Sequence, residues 1–315
     1  MTGTATGSAT LPKPLDEGLA AVERAMLKVT DSQVDVLRDA SRHILGAGGK
    51  RIRPRLLLLS YMALGGLELN RVARPAAAIE LMHTASVVHD DINDHGIMRR
   101  GRPSVNAAWG RTFALLTGDY LFTAVYELMA PFGELNVDLA QAATALVEGE
   151  TLQATAVKDN NFSRDVYMRV IALKTAALFR AAGAIGAKLA GASKSEVHAL
   201  AEFGFNLGLA FQIVDDILDL VGDEDRLGKT SGIDRDQGRG VAVALGADKG
   251  NGSGSPPDPL EAIKRKMLEG DTTDMARGHA NLLISSAIDS LGALEETPAK
   301  QALVELAREV INRDR

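Results

Sequence analysis

The stretch Ile79-Glu80-Leu81-Met82-His83-Thr84-Ala85-Ser86-Val87-Val88-His89-Asp90-Asp91-Ile92-Asn93-Asp94 decides the fold. Read back from Asp90 at steps of three and four it gives Ser86, then His83 and Met82, then Ile79: a helix that is small and then apolar beneath an acidic tip. A helix turns by about 100° per residue, so Asp90 and Asp94 share one face roughly 6 Å apart. The pattern returns 125 positions later as Asp215-Asp216-Ile217-Leu218-Asp219, with Phe211, Gly208 and Gly204 behind Asp215. Like charges at that spacing repel, and the cost is offset only where cations sit between the carboxylates. Two such helices face to face make a mouth for hard cations. Magnesium fits best, because it binds oxygen, keeps several waters and is shared between carboxylates and substrate phosphates. The implied ligand is a polyphosphate.

The two interior glycines allow two readings. Each costs about 1 kcal/mol relative to Ala. Either they let helices pack closely, or they line a smooth tunnel below the mouth where a growing apolar chain lies.

Outward from these rows, apolar residues recur at three and four throughout, strand-like alternation is nearly absent, and aromatics make up only 4% of the chain. The expectation is an all-α protein of eight or more helices with an Ala- and Leu-rich core. Breaks are predicted at 46–49, 65–66, Pro103, 131–133, 160–161, Gly191 and 222–240. Ser193-Lys194-Ser195-Glu196 has the spacing of a capping box, and starts the helix expected to end at the second acidic row. Residues 1–14 read as a disordered segment, 15–315 as a single helical domain, and 246–259 as a flexible Gly, Ser and Pro loop within it.

Composition sets limits. The chain has 315 residues, 46% hydrophobic and 24% charged, with a net charge of −6. No basic stripe dominates, which excludes broad nucleic-acid binding. With no Cys there is no disulfide framework and no thiolate zinc site, in keeping with a cytoplasmic location. Apolar runs such as Leu56–Leu59 fall far short of the ~18 residues of a membrane span, so contact with a membrane is expected to be transient at most.

Basic residues accompany both rows. Lys50, Arg53 and Arg55 precede a helix, where backbone N–H groups favour anions, and Arg99-Arg100-Gly101, Lys174-Thr175 and Gly228-Lys229 follow. One diphosphate held through metals and another held directly by Arg and Lys would account for them.

Taken in order, these pieces resemble the trans-isoprenyl diphosphate synthases, the polyprenyl synthetases, from about Gly48 to Gly240. They are Gly-Gly-Lys-Arg-Ile-Arg-Pro at 48–54, His83-Thr84-Ala85-Ser86 leading into His89-Asp90-Asp91, Arg99-Arg100-Gly101, Gly118-Asp119-Tyr120, Glu148-Gly149-Glu150 with Gln153, Lys174-Thr175, Phe211 to Asp216, and Gly228-Lys229 with Asp234 and Gly238.

The resemblance implies the isoprenoid synthase fold, a helical bundle around a central cavity with the acidic rows on facing helices, usually as a homodimer. It implies magnesium-dependent, head-to-tail condensation of isopentenyl diphosphate with an allylic diphosphate, releasing diphosphate, with three Mg2+ per active site. Asp90, Asp94 and Asp215 would hold metal, with Asp91 and Asp219 supporting through water. Arg99, Lys174 and Lys229 would complete the allylic head-group site, while Lys50, Arg53, His83 and Arg100 would grip isopentenyl diphosphate. Thr175 and Gln212 would sit near the reacting carbons with Lys174, and Arg239, where the family often has Lys, would bind phosphate as a planar fork.

Small residues at Ala85 and Ser86, five and four positions before Asp90, imply an open shaft and a product of twenty carbons or more, with Met82 as a deeper floor. His89 and Asp119 read as structural, and Trp109 and Tyr120 as packing residues. A terpene cyclase of the same fold, or a non-catalytic regulatory subunit, are the competing readings. The first would lack the Lys50, Arg53 and Arg100 set, and the second would erode one acidic row.

Overall fold

The computed structural model describes the backbone of residues 13–161, 163–230 and 272–313, without the side chains of 13, 219–230, 272 and 273. Its elements are α1 (Lys13–Val29), α2 (Asp35–Leu45), α3 (Ile52–Ala63), α4 (Leu69–Asn93), the two-residue strands β1 (Met98–Arg99) and β2 (Arg102–Pro103), α5 (Val105–Trp109), α6 (Arg111–Met129), α7 (Leu135–Lys158), α8 (Arg164–Ile171), a π-helical turn (Ala172–Ala176), α9 (Ala177–Leu189), α10 (Lys194–Thr230), α11 (Thr272–Ser290) and α12 (Pro298–Ile311). Among the described residues the only sheet is that antiparallel β1–β2 pair, in which Met98 faces Pro103 and Arg99 faces Arg102.

The centre is a layer of helices whose apolar side chains leave no face for water. α3 buries Leu56 to Leu59 completely, and α4 buries Ala76 to Ile79 and Leu81. Such all-round burial marks a central helix rather than an amphipathic surface one. α4 packs on α6, α1 and α3, and α9 packs on α10 and α3, which brings α4 and α10 to opposite sides of one hollow. Around them, α8 with α9 and the N-terminal part of α10 are long and apolar enough to cross a membrane by length and composition, yet 72% and 61% of those stretches lie inside the fold. They are core helices.

The capping box is present. Ser193 N donates to Glu196 Oε2 at 2.8 Å and Glu196 N donates back to Ser193 Oγ at 3.3 Å, satisfying two N–H groups at the start of α10. The other end corrects the expectation. α10 neither ends at the second acidic row nor breaks at Gly222 but runs to Thr230, because the Leu, Asp, Glu and Arg around Gly222 and Gly228 sustain the helix. A further break, unforeseen, falls at Gly110, whose φ of 81° separates α5 from α6.

The glycines behind Asp215 are settled as packing positions. A Cβ on Gly208 would meet Ala176 Cα at 2.7 Å and Phe179 Cβ at 3.0 Å, and one on Gly204 would run into the Phe179 carbonyl. They seat α10 on α9 and do not line a tunnel. The segment 1–14 lies outside the described residues up to Lys13 and Pro14, the first residues of α1. The loop 246–259 and Arg239 also lie outside them.

Candidate active site

α4 stops at Asn93, and Asp94 caps it with its N–H on the Asp90 carbonyl at 2.8 Å. The first acidic row therefore occupies the C-terminal end of a helix, where the peptide dipoles add negative potential to that of the carboxylates. Asp90 and Asp94 on this side, and Asp215 from α10 on the other, line a single cavity of about 750 Å³.

Asp90 lies beside Lys174 and Glu150. Burial pushes its carboxyl up to about 7 from an ordinary 3.8, Lys174 pulls the other way, and hydrogen bonding to Glu150 raises it further. Lys174 Nζ lies 3.6 Å from Asp90 Oδ2, 2.7 Å from Glu150 Oε1 and 3.4 Å from Gln153 Oε1. Burial alone would lower the Lys174 pKa, but Asp90 and Glu150 together raise it, so the ammonium stays charged. Lys174 and Thr175 belong to the π-helical turn, a rare geometry that clusters at functional sites. The turn approaches α7 at Gly149, where a Cβ would meet Lys174 N at 2.7 Å.

The cavity changes sign across its width. Arg53, 8% exposed, stacks its guanidinium 4.6 Å from the centre of the Phe179 ring and leaves Nε without a hydrogen-bond partner. Burial drops its pKa to about 10. A desolvated guanidinium with spare donors is a site waiting for an anion. Lys50, Arg100 and His83 line the same wall. Arg100 donates to the Gly48 carbonyl, and His83 is held well below its ordinary pKa by burial and then by Arg53 and Arg100, so it is neutral. Arg313, beyond the end of α12, joins Lys50 in the lining. It stacks 4.7 Å from the Phe211 ring, sets Nη2 3.5 Å from Asp215 Oδ1, and keeps Nε and Nη1 buried without hydrogen-bond partners.

Beneath the acidic mouth a chain of side-chain hydrogen bonds links three helical segments. Thr175 Oγ1 donates to Gln212 Oε1 at 2.8 Å, Gln212 Nε2 to Asp216 Oδ1 at 3.0 Å, and the Tyr167 hydroxyl to Asp216 Oδ2 at 2.7 Å.

Most of the residues singled out from sequence thus gather in one place: Lys50, Arg53, His83, Ser86, Asp90, Asp94, Arg99, Arg100, Lys174, Thr175, Gln212 and Asp215 all line the cavity. Asp91 does not. It is 2% exposed and receives Arg99 Nε at 3.1 Å and Nη2 at 2.7 Å on Oδ1, while Oδ2 is buried without a hydrogen-bond partner. Ala85 and Met82 are buried, and of the three chain-length positions only Ser86 reaches the cavity. The side chains of Asp219 and Lys229 lie outside the described residues. His89 sets Nε2 3.3 Å from the Leu115 carbonyl and 3.5 Å from Asp119 Oδ1.

Sequence reasoning missed Arg313, Tyr167 and the inward turn of Asp216, and gave Glu150 no role. Glu150 carried a signal, an acid one turn from Gln153 with Lys174 in the same ordered set, but the other three depend on tertiary placement.

Among the described residues no three His, Cys, Asp or Glu side chains converge closely enough to hold a metal ion unaided. The donor set nonetheless fits a hard divalent cation. It is all oxygen, it lines a polar hollow from two sides, and the ligands it leaves open are those that water and phosphate supply to such ions.

The sequence profile of the Polyprenyl synthetase family matches residues 34–253. Among curated proteins, the octaprenyl diphosphate synthase of Escherichia coli K12 is 35% identical over 95% of this chain and 97% of its own length. A short chain isoprenyl diphosphate synthase of Methanothermobacter thermautotrophicus is 38% identical over 93% and 95%. Among solved structures, a polyprenyl synthase of Caulobacter crescentus CB15 complexed with calcium and isoprenyl diphosphate superposes with a TM-score of 0.81 at 28% identity, over 99% of this chain and 100% of that one.

Proposed function

Because this chain belongs to the polyprenyl synthetase family and is a prenyltransferase with the isoprenoid synthase fold, we propose the following division of labour in its cavity. The reaction joins isopentenyl diphosphate head-to-tail to dimethylallyl, geranyl or farnesyl diphosphate, giving an all-trans product of at least twenty carbons and free diphosphate. The observation that carries this reading is the shared hollow, lined by Asp90, Asp94 and Asp215 and by Lys50, Arg53 and Arg100.

Three magnesium ions, held by Asp90, Asp94 and Asp215 with Asp219 supporting through water, would supply positive charge to the diphosphate as it leaves. Lys174 and Lys229 bind the same head group. Arg99, anchored on Asp91, presents its remaining N–H groups to it. Isopentenyl diphosphate takes the basic wall, where Arg53 has an unused donor, and neutral His83 donates without adding charge. Arg239 adds a further phosphate contact. Loss of diphosphate leaves a delocalised allylic cation. Its C1 accepts the electron pair of the isopentenyl double bond, and the adduct loses a proton to the departed diphosphate. Thr175 and Gln212 face the reacting carbons with oxygen dipoles, and burial of the site keeps water from the cation.

Ser86 bounds the space for the growing chain, while Met82 and Ala85 are buried and do not line the cavity. Half-exposed apolar side chains on α6 (Phe113, Leu116) and α7 (Val137, Val147) support assembly as a homodimer. A cytoplasmic location with transient membrane contact suits a Cys-free chain that releases a greasy product. The octaprenyl and short chain isoprenyl diphosphate synthases named above disfavour both a cyclase and a regulatory subunit.

The test is incubation of the purified chain with isopentenyl diphosphate, magnesium and each allylic primer in turn, measuring diphosphate release and the product length after dephosphorylation. No release with any primer would sink the reading.

A further inference from the structure

Asp216 is the member of the second acidic row that turns inward. It is 2% exposed, and its oxygens accept from Tyr167 at 2.7 Å and from Gln212 Nε2 at 3.0 Å. An amide has one donor end and one acceptor end, so a carboxylate on Nε2 fixes which way Gln212 points. Oε1 is then left for Thr175, which spends its single hydroxyl proton there at 2.8 Å. With that proton committed, Thr175 offers only lone pairs in its other directions, and both Thr175 and Gln212 line the cavity. If the amide were reversed, Nε2 would donate to Thr175, and the freed hydroxyl proton could turn into the cavity with its positive end towards a cation.

We propose that Tyr167 and Asp216 are positioning residues for the condensation: by fixing the polarity of the Asp216–Gln212–Thr175 chain they turn the lone pairs of the Thr175 hydroxyl, rather than its proton, towards the allylic cation. The proposal rests on the prenyltransferase reading above and deepens it. Two features make the device rigid. Tyr167 is the buried end of the chain, and burial together with Asp216 raises its phenol well above the ordinary value, so it remains a donor across the neutral range. The π-helical turn and α10 hold Thr175 and Gln212 on backbones packed together at Gly208, which limits how far the pair separates.

A plain structural tie between α8 and α10 would produce the same contacts, so the test must read direction and not only presence. A cycle of Tyr167→Phe, Thr175→Val and the double variant does so, with kcat and both KM values measured beside melting temperature. Tyr167→Phe should lower kcat about tenfold with KM within about twofold, as loss of preorganised polarity costs the transition state rather than binding. In the Thr175→Val background, where the hydroxyl is gone, the same change should cost less than about twofold. Equal losses in both backgrounds, an unchanged kcat, or a loss carried by KM would overturn the proposal. Should Tyr167→Phe fold too poorly to assay, Asp216→Asn makes the same comparison, since its amide can present a donor to Gln212 and reverse the chain. An inactive parent would overturn the prenyltransferase reading and this inference with it, whereas an active parent with additive losses overturns only the inference.

Discussion

Arg313 Nη2 stands 3.5 Å from Asp215 Oδ1, so a residue beyond the last described helix supplies positive charge to the second acidic row. Two of its remaining N–H donors are buried without hydrogen-bond partners beside the basic wall proposed to take diphosphate. A charge-assisted hydrogen bond is worth about 2 kcal/mol, so Arg313→Ala should raise KM for isopentenyl diphosphate roughly 30-fold while kcat changes little. Arg313→Lys, which keeps the charge but not the planar stack on Phe211, should fall between the two. Steady-state kinetics with the allylic primer saturating would decide it.

Asp90 and Asp215 should be unequal to any neutral substitute. Asp90→Asn or Asp215→Asn removes charge from a different side of the hollow, and each should reduce kcat/KM by at least about 100-fold, equivalent to roughly 2.7 kcal/mol. Part of that loss should be recovered at high magnesium concentration. A variant retaining full activity at low magnesium would remove that Asp from the metal-binding set.

The raised pKa of Asp90, about 7, gives a prediction in pH. A carboxyl that titrates higher in the folded than in the unfolded chain loses protons first on unfolding. Its ionisation therefore weakens the metal-free fold progressively as pH rises from about 4 towards 7, and the penalty is complete above that. Magnesium needs the ionised form. The metal-free protein should lose melting temperature between pH 5 and 8 relative to Asp90→Asn, and magnesium should lift the parent more at pH 8 than at pH 6. Parallel melting curves for the two proteins across that range would contradict the assignment.

Two glycines should respond to Ala in opposite directions. Gly208→Ala sets a methyl against Ala176 Cα and Phe179 Cβ, neither of which can swing away, and should cost about 1–3 kcal/mol. Gly278→Ala in α11 meets nothing within 4 Å and should stabilise by up to about 1 kcal/mol through helix propensity. Denaturant melts of both, at constant m-value, test the pair.

Ser86→Phe should shorten the product, because Ser86 lines the cavity. Ala85→Phe should instead lower the melting temperature, because Ala85 is fully enclosed and a ring there overpacks the core. Chain-length analysis after dephosphorylation, run beside thermal melts, separates these effects.

The acidic rows and the start of α10 were legible because each depends on local spacing alone. Four residues put Asp90 and Asp94 on one face, and Ser193 needs only Glu196 three residues on. What lay beyond reach depends on partners distant in sequence. Asp91 and Asp216 look like their neighbours in the chain, yet Arg99 from the β1–β2 hairpin claims one and Tyr167 from α8 the other. The persistence of α10 through Gly222 shows the opposite failure, a local breaker overruled by the helix formers on either side.

Lys174 and Thr175 are consecutive, yet one reaches Asp90 and Glu150 while the other reaches Gln212. The wide turn at Ala172–Ala176 carries one residue more than an α-helical turn would, and this surplus sets the phase between the upstream and downstream parts of that rod. Losing one residue here would rotate Tyr167 out of step with Phe179 and uncouple the proton-donating end of the network from the aromatic seat of Arg53. The segment must keep its length as well as Lys174 and Thr175.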